Sequence, residues 1–238
     1  MRRRKMKENW KILSGSALKL LAIFSMLVDH LAAFLWAGQP WCMAPLFNIG
    51  SRPISAYLLM RMFGRIAFPL FAFLIVEGFI HTSSRKRYGI RLLAFAIISE
   101  IPWNLVHTGT LLYPGQNVFF TLFLGYLGLC SIESFTGSKL VWSLIGLLAA
   151  SVLLRADYGC VGYGFILLLY ALRNHEIVRA IIGCCVLGGR WIAGIAFIPI
   201  AMYNGERGFI KGKAGKYFFY LFYPLHLLVI YFLRQQLL

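Results

Sequence analysis

Asp29 and His30 are adjacent polar residues inside an apolar run that begins at Ile23 and reads IFSMLVDHL. An ionisable side chain at the centre of a bilayer costs about 2.5–3.5 kcal/mol, so such residues usually pair with each other or take part in chemistry. An imidazole titrates near neutral pH, which suits proton abstraction by His30 as a general base. The alternative is a buried ion pair that only fixes helix packing. Neighbouring residues on a helix point about 100° apart, so we expect Asp29 and His30 to hold different partners.

Arg61 and Arg65 are four residues apart and therefore share one face of a helix. Their expected depth is close to that of Asp29, so a salt bridge between Asp29 and either arginine is predicted. Arg65 lies deeper, and its guanidinium could neutralise an oxyanion or hold a phosphate. For Arg61 we expect a side chain that extends to the outer interface.

Further ionisable residues lie in or beside apolar runs. Glu77 and His81 are four residues apart, which fits either an interfacial cap or the rim of a substrate opening on the inner side. Glu100 precedes Pro102, and a proline inside a helix frees a backbone carbonyl, as is common where helices line a cavity. Asp157 is predicted to be a helix N-cap, and His226 lies beside a proline in the last apolar run.

The composition excludes a disordered chain, a coiled coil and an ordinary soluble enzyme. Of the 238 residues, 60% are hydrophobic and only 13% are charged, against about 50% and 25% in soluble domains. The net charge of +16 does not indicate nucleic-acid binding in so apolar a chain; it indicates basic loops that face anionic lipids and an anionic substrate. No standard nucleotide-binding or hydrolase motif is present, and the spacing of His, Cys and carboxylate residues predicts no metal site.

We therefore predict an all-α, polytopic membrane helix bundle that forms one domain over residues 1–238. A helix that crosses a bilayer needs about 20 apolar residues. Nine segments meet or approach this length, and they are 17–37, 57–80, 89–108, 117–134, 139–155, 158–173, 177–188, 190–203 and 216–234. The seventh and eighth are short; they could be two spans, a re-entrant pair or one broken helix.

The lysine and arginine residues predict the orientation. With residues 1–16 as a basic cytoplasmic segment and nine crossings, 17 of the 24 basic residues fall on the inner side and four on the outer side. The expected location is the bacterial cytoplasmic (inner) membrane, as a multi-pass protein.

The order of several sequence blocks resembles the TraX family of membrane proteins, named for the acetylation of conjugative pilin. The resemblance extends from about residue 17 to 234, and its blocks include MLVDH at 26–30, GRIAFPLFAF at 64–73, EGFIHT at 77–82, SEIP at 99–102, NVFFTL at 117–122, DYG at 157–159 and YFFYLFYPLH at 217–226. More distantly, Lys19 precedes His30 by eleven positions, as a basic residue precedes a histidine in acyltransferase-3 proteins. That residue is usually Arg, and a lysine does not bind phosphate in bidentate fashion.

The resemblance implies an acyltransferase that uses an acyl-CoA, most simply acetyl-CoA, and no metal. Together with the residues it predicts that His30 is the base, that Arg65 stabilises the oxyanion and that Asp29 orients one of them. The expected substrate-binding residues are Lys19, Arg61, Glu77, His81, Glu100, Asn117, Asp157 and His226. Basic residues such as Arg85, Lys86 and Arg87, with Lys211, Lys213 and Lys216, would attract the CoA.

Two points stay open at this stage. The acceptor could be a pilin N-terminus, a sugar, a lipid headgroup or a small amine, since no residue in the chain identifies it. The chain could also be a small membrane transporter or a non-catalytic scaffold of a surface-assembly system, because buried charges and broken helices occur in both.

Overall fold

Helices make up most of the protein in a computed structural model that describes residues 10–187, 191–210 and 212–237. The first half contains α1 (Gly15–His30, extended by a π-helical turn, Leu31–Leu35), α2 (Pro40–Met43), α3 (Ala56–Gly64), α4 (Ala67–His81) and α5 (Arg85–Thr108). The second half contains α6 (Val118–Ser134), α7 (Gly137–Leu153), α8 (Gly159–Ala171), α9 (Glu176–Val186), a 3₁₀ segment (Trp191–Ala196), α10 (Phe197–Ala201) and α11 (Gly212–Leu237).

Four helical stretches within the described ranges are long and apolar enough to cross a membrane. They are Gly15–Leu35, Ala56–His81, Arg85–Thr108 and Tyr217–Leu237, while four further apolar helices are shorter. The chain is therefore a bundle that contains membrane-spanning helices. Within the described residues, each of the nine predicted segments overlaps helix; the second is interrupted at Arg65 and Ile66, and the eighth has a 3₁₀ segment from Trp191. Nine crossings and a cytoplasmic N-terminus remain predictions. The joint at 188–190, the basic residues 1–9, Lys211 and the side chains of Lys213 and Lys216 lie outside what the structure describes.

The core lies where α6 packs between α5 and α8, with α4 against α8 on one side and α11 against α5 on the other. Aromatic rings fill the centre: the Phe79 ring contacts those of Tyr126 and Tyr170 at centroid distances of 5.7 and 5.6 Å, edge to face. Edge-to-face aromatic pairs stabilise a fold by more than the burial of their apolar area accounts for.

A short antiparallel hairpin departs from the purely helical prediction. Its strands, β1 (Pro45–Ile49) and β2 (Arg52–Ser55), lie between α2 and α3. Leu46, Phe47 and Ile49 are exposed on β1, so the strand is not part of the core. Residues 45–55 show no alternation of apolar and polar side chains, so no strand was predicted between the first two spans.

The second predicted span is broken at Arg65 and Ile66, between α3 and α4. The N–H of Arg65 donates to the Met62 carbonyl, and the N–H of Ile66 donates to the Phe63 carbonyl. Each bond spans three residues, so the backbone here is wound more tightly than in an α-helix. Pro69 is in the first turn of α4, where a missing N–H is tolerated. The Ser25 hydroxyl of α1 donates to the Phe63 carbonyl at 2.8 Å, so the neighbouring helix supplies a hydrogen bond to the backbone at the break.

Gly64 lets α1 and α3 approach closely at this break. A Cβ atom on Gly64 would lie 2.2 Å from the Cβ of Asp29, which is too close for any side chain. The position of Asp29 against α3 therefore depends on glycine at this point.

We expect Gly64→Ala to lower the free energy of unfolding by about 1–3 kcal/mol, because the added methyl group forces the two helices apart. Thermal unfolding of the purified protein in detergent measures this. The matched control is Gly164→Ala in α8, where no atom lies within 4 Å of the new Cβ and a helix former replaces glycine. Equal stability of the two variants would contradict the close contact.

Candidate functional site

Three helices bring polar side chains to the same depth. The helices α1, α5 and α11 begin on the same side of the bundle, as the contacts of Lys19 with Phe219 and of Phe95 with Tyr220 indicate. With a rise of 1.5 Å per residue, His30, Glu100 and His226 each lie about 22 Å from the start of their helix. These residues therefore occupy one layer of the bundle.

His30 and His226 are in direct contact within this layer. The Nδ1 atom of His30 is 2.7 Å from the Nε2 atom of His226, and the rings are nearly parallel. The Nδ1 atom of His226 is 2.7 Å from the Phe222 carbonyl oxygen, which only an N–H can satisfy. When both imidazoles are neutral, the hydrogen bonds therefore run in one direction: His226 donates to the Phe222 carbonyl, and His30 donates to His226. The Nε2 atom of His30 then keeps its lone pair.

Aromatic side chains enclose the two histidines. The rings of Phe34 and Tyr223 are 5.5 and 6.1 Å from His30, and Phe34 also contacts His107 at 4.7 Å. His107 donates to the Trp103 carbonyl at 2.8 Å and stacks on Tyr113 at 4.4 Å. The sequence motifs indicated neither His107 nor Tyr223 as a site residue. For His107 the available signal was its helical spacing, one turn past Trp103 and two turns past Glu100.

Asp29 pairs with α3 rather than with His30. Its Oδ2 atom accepts from Arg61 at 2.7 Å, while both side chains keep some exposure, 22% and 30%. The expectation that Arg61 would extend to the interface is therefore wrong, and of the two predicted bridges the structure forms Asp29–Arg61. Arg65 is half-buried at the helix break and within electrostatic range of Asp29.

Glu100 and Asn117 form a tight pair that joins α5 to α6. Glu100 accepts from the Asn117 side-chain amide and, at 3.0 Å, from its backbone N–H. Asn117 also caps α6 by accepting from the Phe119 N–H at 3.0 Å and donates to the Ala96 carbonyl at 2.8 Å. Both residues thus have structural roles at the site, and Asn117 is fully buried.

Asp157 lies close to this layer but is not the predicted N-cap. Helix α8 begins at Gly159 with Tyr158 as its N-cap, and no side chain caps it. The chain before it pairs with the segment that leads into α6, through the Gln116 N–H and the Arg155 carbonyl at 3.1 Å. The carboxylates of Asp157 and Glu100 are both within electrostatic range of the buried Tyr223 hydroxyl.

Glu77 and His81 are not part of this layer. His81 donates to the Glu77 carbonyl at 2.9 Å, and its ring nitrogen is 3.7 Å from the Glu77 carboxylate. Both residues are at the C-terminal end of α4, about 20 Å along the helix from Arg65. There the Tyr203 hydroxyl bonds to Glu77 and the buried Arg179 is nearby. The structure therefore separates them from the histidines.

A second group of cations lies near the N-terminal ends of α1, α5 and α11. The Lys19 ammonium is 5.3 Å from the centre of the Phe219 ring and is within electrostatic range of Arg207. Arg91 hydrogen-bonds to Tyr220 on α11. Over the residues that the structure describes, none of Lys19, Arg91 and Arg207 forms a salt bridge. Of these cations, Lys19 is on the same helix as His30, about 16 Å from it along α1, whereas Arg91 is on α5 and Arg207 precedes α11.

Arg85 and Lys86 lie elsewhere, between α5 and α6. Arg85 is 3.4 Å from the Glu133 carboxylate of α6 and faces the Phe79 ring of α4 at 4.5 Å. Within the described ranges, no three His, Cys, Asp or Glu side chains are grouped so that they could hold a metal ion.

The fold is that of a membrane helix bundle in which two histidines from different apolar helices are in contact. The chain matches the TraX protein family over residues 14–234 and belongs to it. It is also 30% identical to the probable fimbrial assembly protein FimC, serogroup H1, of Dichelobacter nodosus, over 91% of this chain and 94% of that protein. No solved structure matches the chain.

We expect Arg61→Met to lower the free energy of unfolding by about 1–3 kcal/mol, since it leaves the Asp29 carboxylate without its partner in an apolar layer. Adding Asp29→Asn should restore at least half of the loss, because the uncompensated charge is then removed. Chemical or thermal unfolding in detergent measures both. Arg52→Met, an exposed arginine on β2, is the control; an Arg61→Met variant as stable as this control would show that the pair contributes nothing.

Proposed function

We propose that this protein is an integral membrane acyltransferase that moves an acetyl group, or another acyl group, from cytoplasmic acyl-CoA to an amine or hydroxyl acceptor. The observation that carries the proposal is the His30–His226 contact, which leaves the Nε2 lone pair of His30 available to a substrate proton. Membership of the TraX family and the name of the FimC relative support a role in pilus assembly. The proposed location is the bacterial inner membrane.

His30 acts as the general base in this scheme. Its Nε2 atom removes the proton from the acceptor as the amine or hydroxyl attacks the thioester carbonyl. The new bond to the acyl carbon forms, the C–S bond breaks, and the departing thiolate takes the proton back from the imidazolium. His226 accepts from Nδ1 of His30 throughout, which holds the His30 ring in one tautomer and lets the Phe222 carbonyl share the transient positive charge.

The charged residues at the α3–α4 break and on α1, α3 and α5 have the remaining roles in this scheme. The guanidinium of Arg65, held at the helix break, stabilises the oxyanion that develops on the thioester oxygen. The pair of Asp29 and Arg61 fixes α3 against α1 and so positions that break. On the opposite side, Glu100 holds α5 and α6 around the path by which the acceptor arrives from the membrane or the outer side.

The donor enters from the inner end along α1 and α11. Lys19, Arg91 and Arg207 bind the phosphates of the CoA, and its extended pantetheine arm follows the two helices up to His30. This moves the donor site away from Arg85, which contacts Glu133 on α6 and Phe79 on α4, and from Lys86, which lines the groove between α5 and α6.

We expect His30→Ala to lower acetyl transfer at least about 100-fold, because general-base catalysis contributes that much or more. Release of thiol from acetyl-CoA by the purified protein, with a set of amine and hydroxyl acceptors, measures it. His175→Ala, an exposed histidine before α9, is the matched control and should keep full activity. Full activity of a folded His30→Ala variant would remove His30 from the chemistry. A folded wild-type protein that releases no thiol with any acceptor would favour the alternative function, a non-catalytic scaffold of a surface-assembly system.

Lys19→Gln and Arg91→Gln should each raise the KM for acetyl-CoA about tenfold with little change in kcat, since each removes a charged contact to phosphate. Initial rates at varied acetyl-CoA concentration test this. The control is Lys139→Gln, an exposed lysine at the start of α7. An unchanged KM in both variants would place the donor elsewhere.

A further inference from the structure

A groove on the outside of the bundle has a charged end and an apolar body. It lies between α5 and α6, has a volume of about 280 Å³, and is separate from the histidine site. Arg85 and Lys86 are at one end, and Ile90, Leu93, Phe123 and Leu127 form its walls. Leu93 is about 11 Å from Lys86 along α5, so the groove runs from the end of the helix toward its middle.

The depth of the groove depends on Gly89 and Tyr126. A Cβ atom on Gly89 would be 3.0 Å from a carbon of the Tyr126 ring, so glycine at this position lets the ring lie close against α5. The Tyr126 hydroxyl donates to the Arg85 carbonyl at 2.7 Å, which holds the ring across the floor of the groove. The floor is therefore ordered by contacts within the protein and does not depend on a ligand.

The charge at the open end is positive and partly uncompensated. Arg85 shares its charge with Glu133, whose other oxygen accepts from the Tyr170 hydroxyl. Lys86 is exposed and forms no salt bridge with any residue that the structure describes. A ligand that matches this end carries an anionic group.

The body of the groove selects an apolar chain. Ile90 is 56% exposed on α5, one of the helices long enough to cross a membrane, so this wall faces the acyl chains of the bilayer. A soluble anion such as free phosphate would leave the apolar walls uncovered, whereas an amphiphile covers them and places its charge beside Lys86.

From this geometry we infer that the groove between α5 and α6 is a binding site for one anionic phospholipid, with its phosphate at Lys86 and Arg85 and an acyl chain along Ile90 and Phe123. Such a lipid would fill the space between the two helices on the side opposite to the donor path. The inference is independent of the acyltransferase reaction, since it uses none of the residues assigned to it.

Native mass spectrometry of the delipidated protein, titrated with phosphatidylglycerol or phosphatidylcholine, tests the site. We expect one phosphatidylglycerol to bind at least about fivefold more tightly than phosphatidylcholine, and Lys86→Gln to remove most of this preference, because one basic residue contributes about that factor at an anionic surface. Ile90→Trp, which fills the groove, should weaken the binding of both lipids.

Matched variants on α7 separate the groove from a general effect of charge or surface. Lys139→Gln and Ile145→Trp change an exposed lysine and a half-exposed isoleucine outside the groove and should leave lipid binding unchanged. Glycerol phosphate should not displace the lipid, because it has no acyl chain. Equal affinity for the two lipids, or an equal loss with Lys139→Gln, would overturn the inference. Displacement by palmitoyl-CoA at lower concentration than by phosphatidylglycerol would also overturn it and assign the groove to an acyl donor.

Discussion

The structure depends on the pairing of polar groups that two adjacent residues of α1 carry into an apolar bundle. Because successive side chains on a helix point in different directions, Asp29 reaches Arg61 on α3 while His30 reaches His226 on α11. One dipeptide thus ties α1 to two other helices, and each polar group has a partner where an unpaired one would be costly. Gly64 makes the first contact possible by leaving no side chain between the helices.

This pairing has a chemical consequence as well as a structural one. The chain of hydrogen bonds from His30 through His226 to the Phe222 carbonyl uses one nitrogen of His30 and leaves the other free. His30 is half-buried, with aromatic rings on several sides, so its free nitrogen lies in a confined layer that also contains Glu100 and Tyr223.

Much of the architecture could be predicted from the sequence. Apolar runs located the helices, because burial in lipid requires long apolar segments, and the different directions of Asp29 and His30 were correctly anticipated. The helix break at Arg65 could not be located, since it depends on a hydroxyl from α1 that bonds to the freed carbonyl. The hairpin after α2 and the choice of Arg61 over Arg65 depend on tertiary contacts that residue spacing does not contain. The depth of His107 was missed because the loop after α5 folds back, with Tyr113 stacked on its ring.

In the proposed reaction the acyl group is transferred at the paired histidines. A structure of the protein with coenzyme A bound would show whether the donor reaches them. We expect the thiol sulfur beside the Nε2 atom of His30 and the phosphates near Lys19, Arg91 and Arg207. Coenzyme A bound away from α1 and α11, with His30 closed off from it, would show that transfer does not take place at these histidines.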